Sequence, residues 1–115
     1  MQYSDLTFDE AVVFVALVRH LVRIDDLFSM QEMAIMRRIQ SEMGPVWGDA
    51  ARTATRRYRD LHQAVEASRV VTRPESRVFL REQLEMVAES DGTVEQEQRL
   101  LNLVQAVWED DDAEE

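Results

Sequence analysis

The groups in this chain best suited to chemistry are carboxylates gathered at two turns. Around Gly92 the sequence reads Glu89-Ser90-Asp91-Gly92-Thr93-Val94-Glu95-Gln96-Glu97-Gln98, with four acids and a turn glycine in ten residues. Hard divalent cations take oxygen ligands from such clusters. An EF-hand loop begun at Asp91 fails, because the sixth position, which needs glycine, is Gln96, and the twelfth, which needs a bidentate glutamate, is Asn102. An earlier corner, Asp25-Asp26-Leu27-Phe28-Ser29 followed by Glu32, leaves a different arrangement open. Asp25, Asp26 and Glu32 brought beside Asp91, Glu95 and Glu97 would offer clustered carboxylates to a divalent metal. The structural reading of the same acids is that they lie at helix starts, where free N–H groups and the dipole favour negative charge and Gly92 supplies a turn.

Other chemistries lack their parts. There is no cysteine, hence no thiolate metal site, disulfide or thiol nucleophile, and all 13 basic residues are arginine, which removes a P-loop or Schiff-base lysine. A di-iron bundle wants Glu-x-x-His, yet Leu17 precedes His20 by three and Arg59 precedes His62 by three. Neither a Gly-x-Ser-x-Gly elbow nor a glycine-rich phosphate loop occurs. The sequence therefore points away from an enzyme, and no cofactor is required; a divalent metal at the acidic corners is the one candidate.

Charge is unevenly spread. Residues 1–50 carry 4 Arg against 8 acids, residues 51–81 carry 8 Arg against 3, and residues 82–115 carry 1 Arg against 12, for a net charge of −10. The acidic balance opposes duplex nucleic acid, whose phosphates would repel it. The arginine-rich middle offers Arg52, Arg56, Arg59, Arg77 and Arg81 as a surface for an acidic protein partner. Its structural alternative is a salt-bridged helix face, since Arg77 and Arg81 continue into Glu85 and Glu89 at four-residue spacing. Four of the six methionines fall between Met30 and Met43, where they serve as core filling or as an adaptable binding groove.

These groups must be carried by helices. Gly and Pro are scarce, and five segments place apolar residues at three-to-four spacing, so the chain reads as all-α. A hydroxyl followed three residues later by Glu or Gln, the capping-box pattern, occurs at Thr7, Ser29, Thr72 and Thr93. The first helix is expected over Phe8 to Asp25, burying Val13, Phe14, Leu17, Val18, Leu21 and Val22. It is nearly apolar all round and should be central. A second runs from Met30 to Met43, burying Met33, Ile35, Met36, Ile39 and Met43, and stops at Gly44-Pro45. A third, capped by Asp49, carries the stripe Ala54, Tyr58, Leu61, Val65. Ser68 to Val71 breaks the pattern. A fourth main helix over Pro74 to Glu89 buries Val78, Leu80, Leu84 and Val87, and the last, Val94 to Trp108, buries Leu100, Leu101, Leu103, Val104 and Val107. One or two short extra helices fit around Val46-Trp47.

The expected organisation is one compact domain over residues 1–108 and a disordered acidic tail over 109–115, with six acids in its seven residues. The tail's plain role is solubility. Its functional alternative is docking on the arginine-rich middle of the same or another copy. No apolar run is long enough to span a bilayer, and the acidic N-terminus does not resemble a secretory signal, so a cytoplasmic location is expected.

The two corners belong to a longer echo. Offsetting the sequence by 66 places Val13 on Phe79, Phe14 on Leu80, Val18 on Leu84, Leu21 on Val87, Asp25 on Asp91 and Phe28 on Val94. An offset of 65 then places Glu32 on Glu97, Ile35 on Leu100, Met36 on Leu101, Ile39 on Val104 and Met43 on Trp108. Each half is an apolar helix ending in Asp, a short turn, and a second helix with Glu in its first turn. Leu6-Thr7-Phe8-Asp9-Glu10, the Asp25 turn with Glu32, and Val87-Ala88-Glu89-Ser90-Asp91-Gly92-Thr93-Val94 followed by Glu97 and Leu100-Leu101 resemble the tellurite-resistance TerB-like domain family. In that family a helix ends in Ala-Asp-Gly-x-Val before an acid-rich helix start; here Asp26 stands where glycine is usual in the first half.

The resemblance covers residues 6–108. It implies an all-helical domain with pseudo-symmetric halves, found alone or attached to other modules in bacterial stress-response, membrane-associated and phage-defence systems. It implies no catalytic reaction, and metal binding through acidic residues of the corners. The expected function is thus a non-enzymatic adaptor or sensor that binds a protein partner and reaches any membrane through that partner. Self-association and divalent-metal sensing are the alternatives.

Overall fold

A helix starts where something satisfies its first free N–H groups, and Thr7 does this for the most apolar segment of the chain. In a computed structural model the Thr7 hydroxyl accepts from the Glu10 N–H at 3.1 Å, and Glu10 Oε1 accepts from the Thr7 N–H at 2.9 Å. The capping box read from the sequence is therefore closed. The structure describes residues 1–23, 30–89 and 95–113 and, within the helices, all side chains except those of residues 23, 32, 96, 97 and 111–113. The described residues form α1 (Phe8–Arg23), α2 (Met30–Met43), α3 (Pro45–Arg57), α4 (Leu61–Ala67), α5 (Pro74–Glu89) and α6 (Glu95–Ala113). Single 3-10 turns sit at Tyr3–Asp5 and Ser68–Val70. The architecture is all-helical, as expected.

Eight consecutive α1 residues, Ala11 to Val18, are each 3% exposed or less. Eight residues cover more than two turns, so every side of the helix is enclosed. α3, α4, α5 and the Ser68–Val70 turn all pack on it. The enclosure is tight on the α3 side because the buried residues there are small, Ala50, Thr53 and Ala54. The radius of gyration is 13.2 Å, what a single compact domain of this length should have.

The expected third helix is two helices. Gly44 takes a φ of 62°, the left-handed turn anticipated there, but Pro45 then starts α3 at once instead of ending a segment. Asp49 lies inside α3 and pairs with Arg52. The stripe Ala54, Tyr58, Leu61, Val65 is broken after Arg57, because the Asp60 carboxylate accepts from the Gln63 N–H at 2.8 Å and starts α4 afresh. An aspartate with this choice competes with helix continuation. At α5 the helix begins at Pro74, so Arg73, not Thr72, holds the cap position and its carbonyl accepts from Arg77 at 3.1 Å. The expected boxes at Ser29 and Thr93 lie outside the described residues.

Three residues expected in the core are not there. Val78 is 59% exposed and Leu103 50%. The buried stripes of α5 (Ser76, Arg77, Leu80, Leu84, Val87) and α6 (Leu100, Leu101, Val104, Val107, Trp108) are centred a quarter turn or more from these two positions. Met33 is 37% exposed because α2 is buried only toward its C-terminal half, at Met36, Ile39 and Met43. The tail also differs. α6 continues past Trp108 to Ala113, although acids at a helix C-terminus oppose the dipole. Arg69 offsets this by reaching Asp110 at 3.1 Å, and Gln105 donates to Glu109 at 3.2 Å.

Two polar junctions lock the layers. At one, the Arg77 guanidinium lies 5.8 Å from the centroid of the Trp108 ring and Arg77 Nε donates to the Val71 carbonyl at 2.7 Å. Trp108 Nε1 donates to the Ser68 carbonyl at 2.8 Å. The Val71 carbonyl, and the Ser68 carbonyl that also accepts from the Val71 N–H at 3.1 Å, are thus tied to α5 and α6. At the other, the buried Glu10 carboxylate accepts from Arg73 Nε at 3.0 Å and from a second guanidinium nitrogen, joining the starts of α1 and α5.

Burial alone would raise the Glu10 carboxyl. Hydrogen bonds from Arg73 and the Thr7 N–H outweigh it and bring the group from 4.5 down to about 2. The Ser76 hydroxyl, buried and without a well-formed hydrogen bond, and the Arg73 charge add to the pull.

A carboxyl lowered in this way stabilises the fold fully above its ordinary value of 4.5, and that contribution is lost as pH falls through about 2. Glu10→Gln should therefore cost roughly 2 kcal/mol at pH 7, after discounting for the part-exposed Arg73. The gap to the parent protein should close as pH falls from 4.5 to about 2. Urea unfolding of both proteins across that range checks this, and a gap independent of pH would contradict it.

Candidate functional site

α1 stops being enclosed on all sides at Arg19, and a groove rimmed by arginines opens there. Its floor is made of alanines, Ala16 from α1 and Ala54 from α3, whose small side chains leave a concavity of about 470 Å³. Arg19 and His20 form one rim, and Thr55, Arg56, Tyr58 and Arg59 form the other. A second hollow of about 790 Å³ shares Arg19, Thr55 and Arg56 and runs along α3 to Arg52 and Asp49.

The rim is partly fixed and partly free. Arg19 Nη1 donates to the Ala51 carbonyl at 3.4 Å and to the Thr55 hydroxyl, which itself donates to Ala51 at 2.9 Å. Arg52 pairs with Asp49. Arg57, on the other side of the helix end, reaches Asp9 at 3.2 Å. Arg56 and Arg59 are exposed and make no ion pair among the described residues. Four guanidiniums thus line the two hollows against one carboxylate, Asp49. Guanidinium N–H groups in a fork match carboxylate and phosphate oxygens, so the arrangement can hold an anionic group. Cations in the last turn of α3 also complement the helix dipole, which accounts for Arg56 without a ligand but not for Arg59, which lies beyond the helix.

Of the arginines picked out in the sequence, the fold brings Arg52, Arg56 and Arg59 together and separates the other two. Arg77 is 9% exposed and spent on Trp108 and Val71. Arg81 is half-buried, bonded to Glu85 at 2.8 Å and to Gln105 of α6. Both hold α5 in place instead of facing a partner. Arg19, His20, Thr55 and Tyr58 were not anticipated. Their signal was available: Arg19 is the first charge after the long apolar run, and Ala16, Ala50 and Ala54 mark a close helix contact.

Of the acidic candidates, Asp25, Asp26 and Asp91 lie outside the described residues, as do the side chains of Glu32 and Glu97. Glu95 is exposed in the first turn of α6 and pairs with Arg99 at 2.8 Å. Among the described residues no three His, Asp or Glu side chains gather as a metal site would require. No described helix is long and apolar enough to cross a membrane.

The division of the arginines has a measurable consequence. Arg56→Glu with Arg59→Glu should change stability by less than about 0.5 kcal/mol, as exposed substitutions do. Arg77→Ala should cost roughly 2–3 kcal/mol, because it strands a buried carbonyl and opens the Trp108 junction. Urea unfolding distinguishes the two, and equal losses would mean that the arginines form one structural set. In comparisons with known proteins no family model matches this chain, and neither a curated protein nor a solved structure does.

Proposed function

We propose that this chain is a TerB-like helical domain that acts without catalysis, as a cytoplasmic adaptor or sensor in a bacterial stress-response or envelope-linked system. It works by binding a protein partner, and the arginine-rimmed groove between α1 and α3 takes an acidic segment of that partner. The carrying observation is the uncompensated charge of the groove. On a chain of net charge −10, two exposed arginines have no counter-ion among the described residues, beside two that are held in place. Like charge elsewhere on the surface turns approaching acids away, and the groove directs them to one place.

The pseudo-repeat behind the family reading is supported by burial. Phe14 and Leu80, Val18 and Leu84, Leu21 and Val87, Met36 and Leu101, Ile39 and Val104, and Met43 and Trp108 are buried at both members of each pair, while in the pairs Val13 with Phe79 and Ile35 with Leu100 one member, Phe79 or Ile35, is only partly buried. If the halves are equivalent, their acidic corners are too, and this favours divalent-metal sensing as the second reading, with Asp25, Asp26 and Glu32 acting alongside Asp91, Glu95 and Glu97.

Fluorescence anisotropy with a labelled peptide of mixed Glu and Asp tests the groove. Binding should weaken steadily with salt, and Arg56→Glu with Arg59→Glu should weaken it about tenfold or more. An affinity unchanged by the double substitution would remove the groove from the account. Calcium or magnesium titration followed by amide NMR tests the second reading. Resonances of both corners should move together, and a response that survives Asp91→Asn with Glu97→Gln would rule those corners out.

A further inference from the structure

The chain carries its own acidic segment, and the fold determines where that segment can go. Glu109 to Glu115 hold six carboxylates in seven residues, and α6 continues as far as Ala113.

The groove of the same molecule is out of reach. α6 crosses the turn after α4 at Trp108, whose indole bonds Ser68, and Asp110 is fixed to Arg69. The groove arginines lie at the other end of α4, before Leu61. Arg59 and Arg69 are separated by the whole of α4 and a 3-10 turn, about 15 Å of helical rise. Asp110, where the acidic stretch leaves the body of the fold, is therefore held away from Arg56 and Arg59 of its own chain.

We infer that the groove also receives the acidic end of α6 from a second copy of this chain, in a reciprocal dimer in which each copy fills the other's groove. This rests on the reading of the groove as a site for acidic segments, and it names the occupant. Charge complementarity carries the choice, since the groove and the hollow beside it set Arg19, Arg52, Arg56 and Arg59 against Asp49, and the segment 109–115 holds only acids and one alanine. The net charge of −10 opposes the approach of two copies, but that repulsion is screened beyond about 10 Å at 0.1 M salt, whereas the paired groups meet at contact. Reciprocal exchange satisfies both grooves at once and stops assembly at two, where one-way insertion would continue into a chain of copies.

Sedimentation of the full chain over a concentration series at low salt tests this, with two variants whose folds are checked by circular dichroism. One is Arg56→Glu with Arg59→Glu. The other neutralises the end by Asp111→Asn, Asp112→Asn, Glu114→Gln and Glu115→Gln, keeping the Arg69–Asp110 pair. The parent protein should form a concentration-dependent dimer, each variant should raise its dissociation constant about tenfold or more, and mixing the variants should restore part of the association. A parent that stays monomeric throughout, or a dimer indifferent to both variants, would overturn the inference. If the parent is monomeric yet the labelled acidic peptide still binds the groove, the occupant is wrong and the proposed function stands; if the peptide also fails, both fall.

Discussion

A helix with no side fit for water has to be enclosed, and that requirement on α1 orders everything else in this fold. From Ala11 to Val18 there is no solvent-facing position, so the remaining helices must be distributed around α1. α3 approaches closely through alanines, α4 and α5 complete the enclosure, and α2 and α6 pack on that inner layer. The burial of side chains such as Phe14, Leu17 and Leu21, worth roughly 1.5–3 kcal/mol each, drives this arrangement. Polar groups of α1 can occur only where enclosure ends. At its start Glu10 is buried but charged, because Arg73 and the helix N-terminus supply its partners. Near its end Arg19 and His20 emerge, and a groove opens between α1 and α3.

The arginines divide according to the same geometry. Arg57, Arg69, Arg73, Arg77 and Arg81 each join two separated parts of the chain: α3 to Asp9, the end of α4 to Asp110, and α5 to α1, to the Ser68–Val70 turn region and to α6. Arg57–Asp9 and Arg69–Asp110 are exposed pairs of small individual worth, so their role is to set register more than to add stability. Once they are assigned, Arg56 and Arg59 are left over beside Arg19 and Arg52. The positive middle of the sequence is thus largely internal cross-linking, and the remainder is concentrated at one groove.

The sequence made the all-helical class, the central place of α1, the Thr7–Glu10 box and the Gly44 turn legible, because each depends on a local rule applied to neighbouring residues. The split of α3 from α4 is hidden because the stripe Ala54, Tyr58, Leu61, Val65 keeps its spacing across the break, although Asp60 with Gln63 carries a cap signal. Val78 and Leu103 were misplaced because a helix with several apolar residues does not say which stripe wins; the neighbours decide that. Arg77 is the clearest failure. Spacing put it on a charged face, but only the arrival of Trp108 from 31 residues away gives its guanidinium a buried place. The groove was half legible: its α3 side lies in one arginine-rich stretch, while Arg19 comes from another helix. The acidic corners could be read only as sequence, since most of their residues fall outside the described structure.

The central claim is that the surface between α1 and α3 is where an acidic segment binds. Its most direct test is an amide NMR footprint of an acidic peptide on the labelled, full chain. The account predicts that the largest shifts cluster on residues 16–20 and 54–59, at both rims of the groove. Shifts centred instead on α5, or spread evenly over the surface, would contradict it.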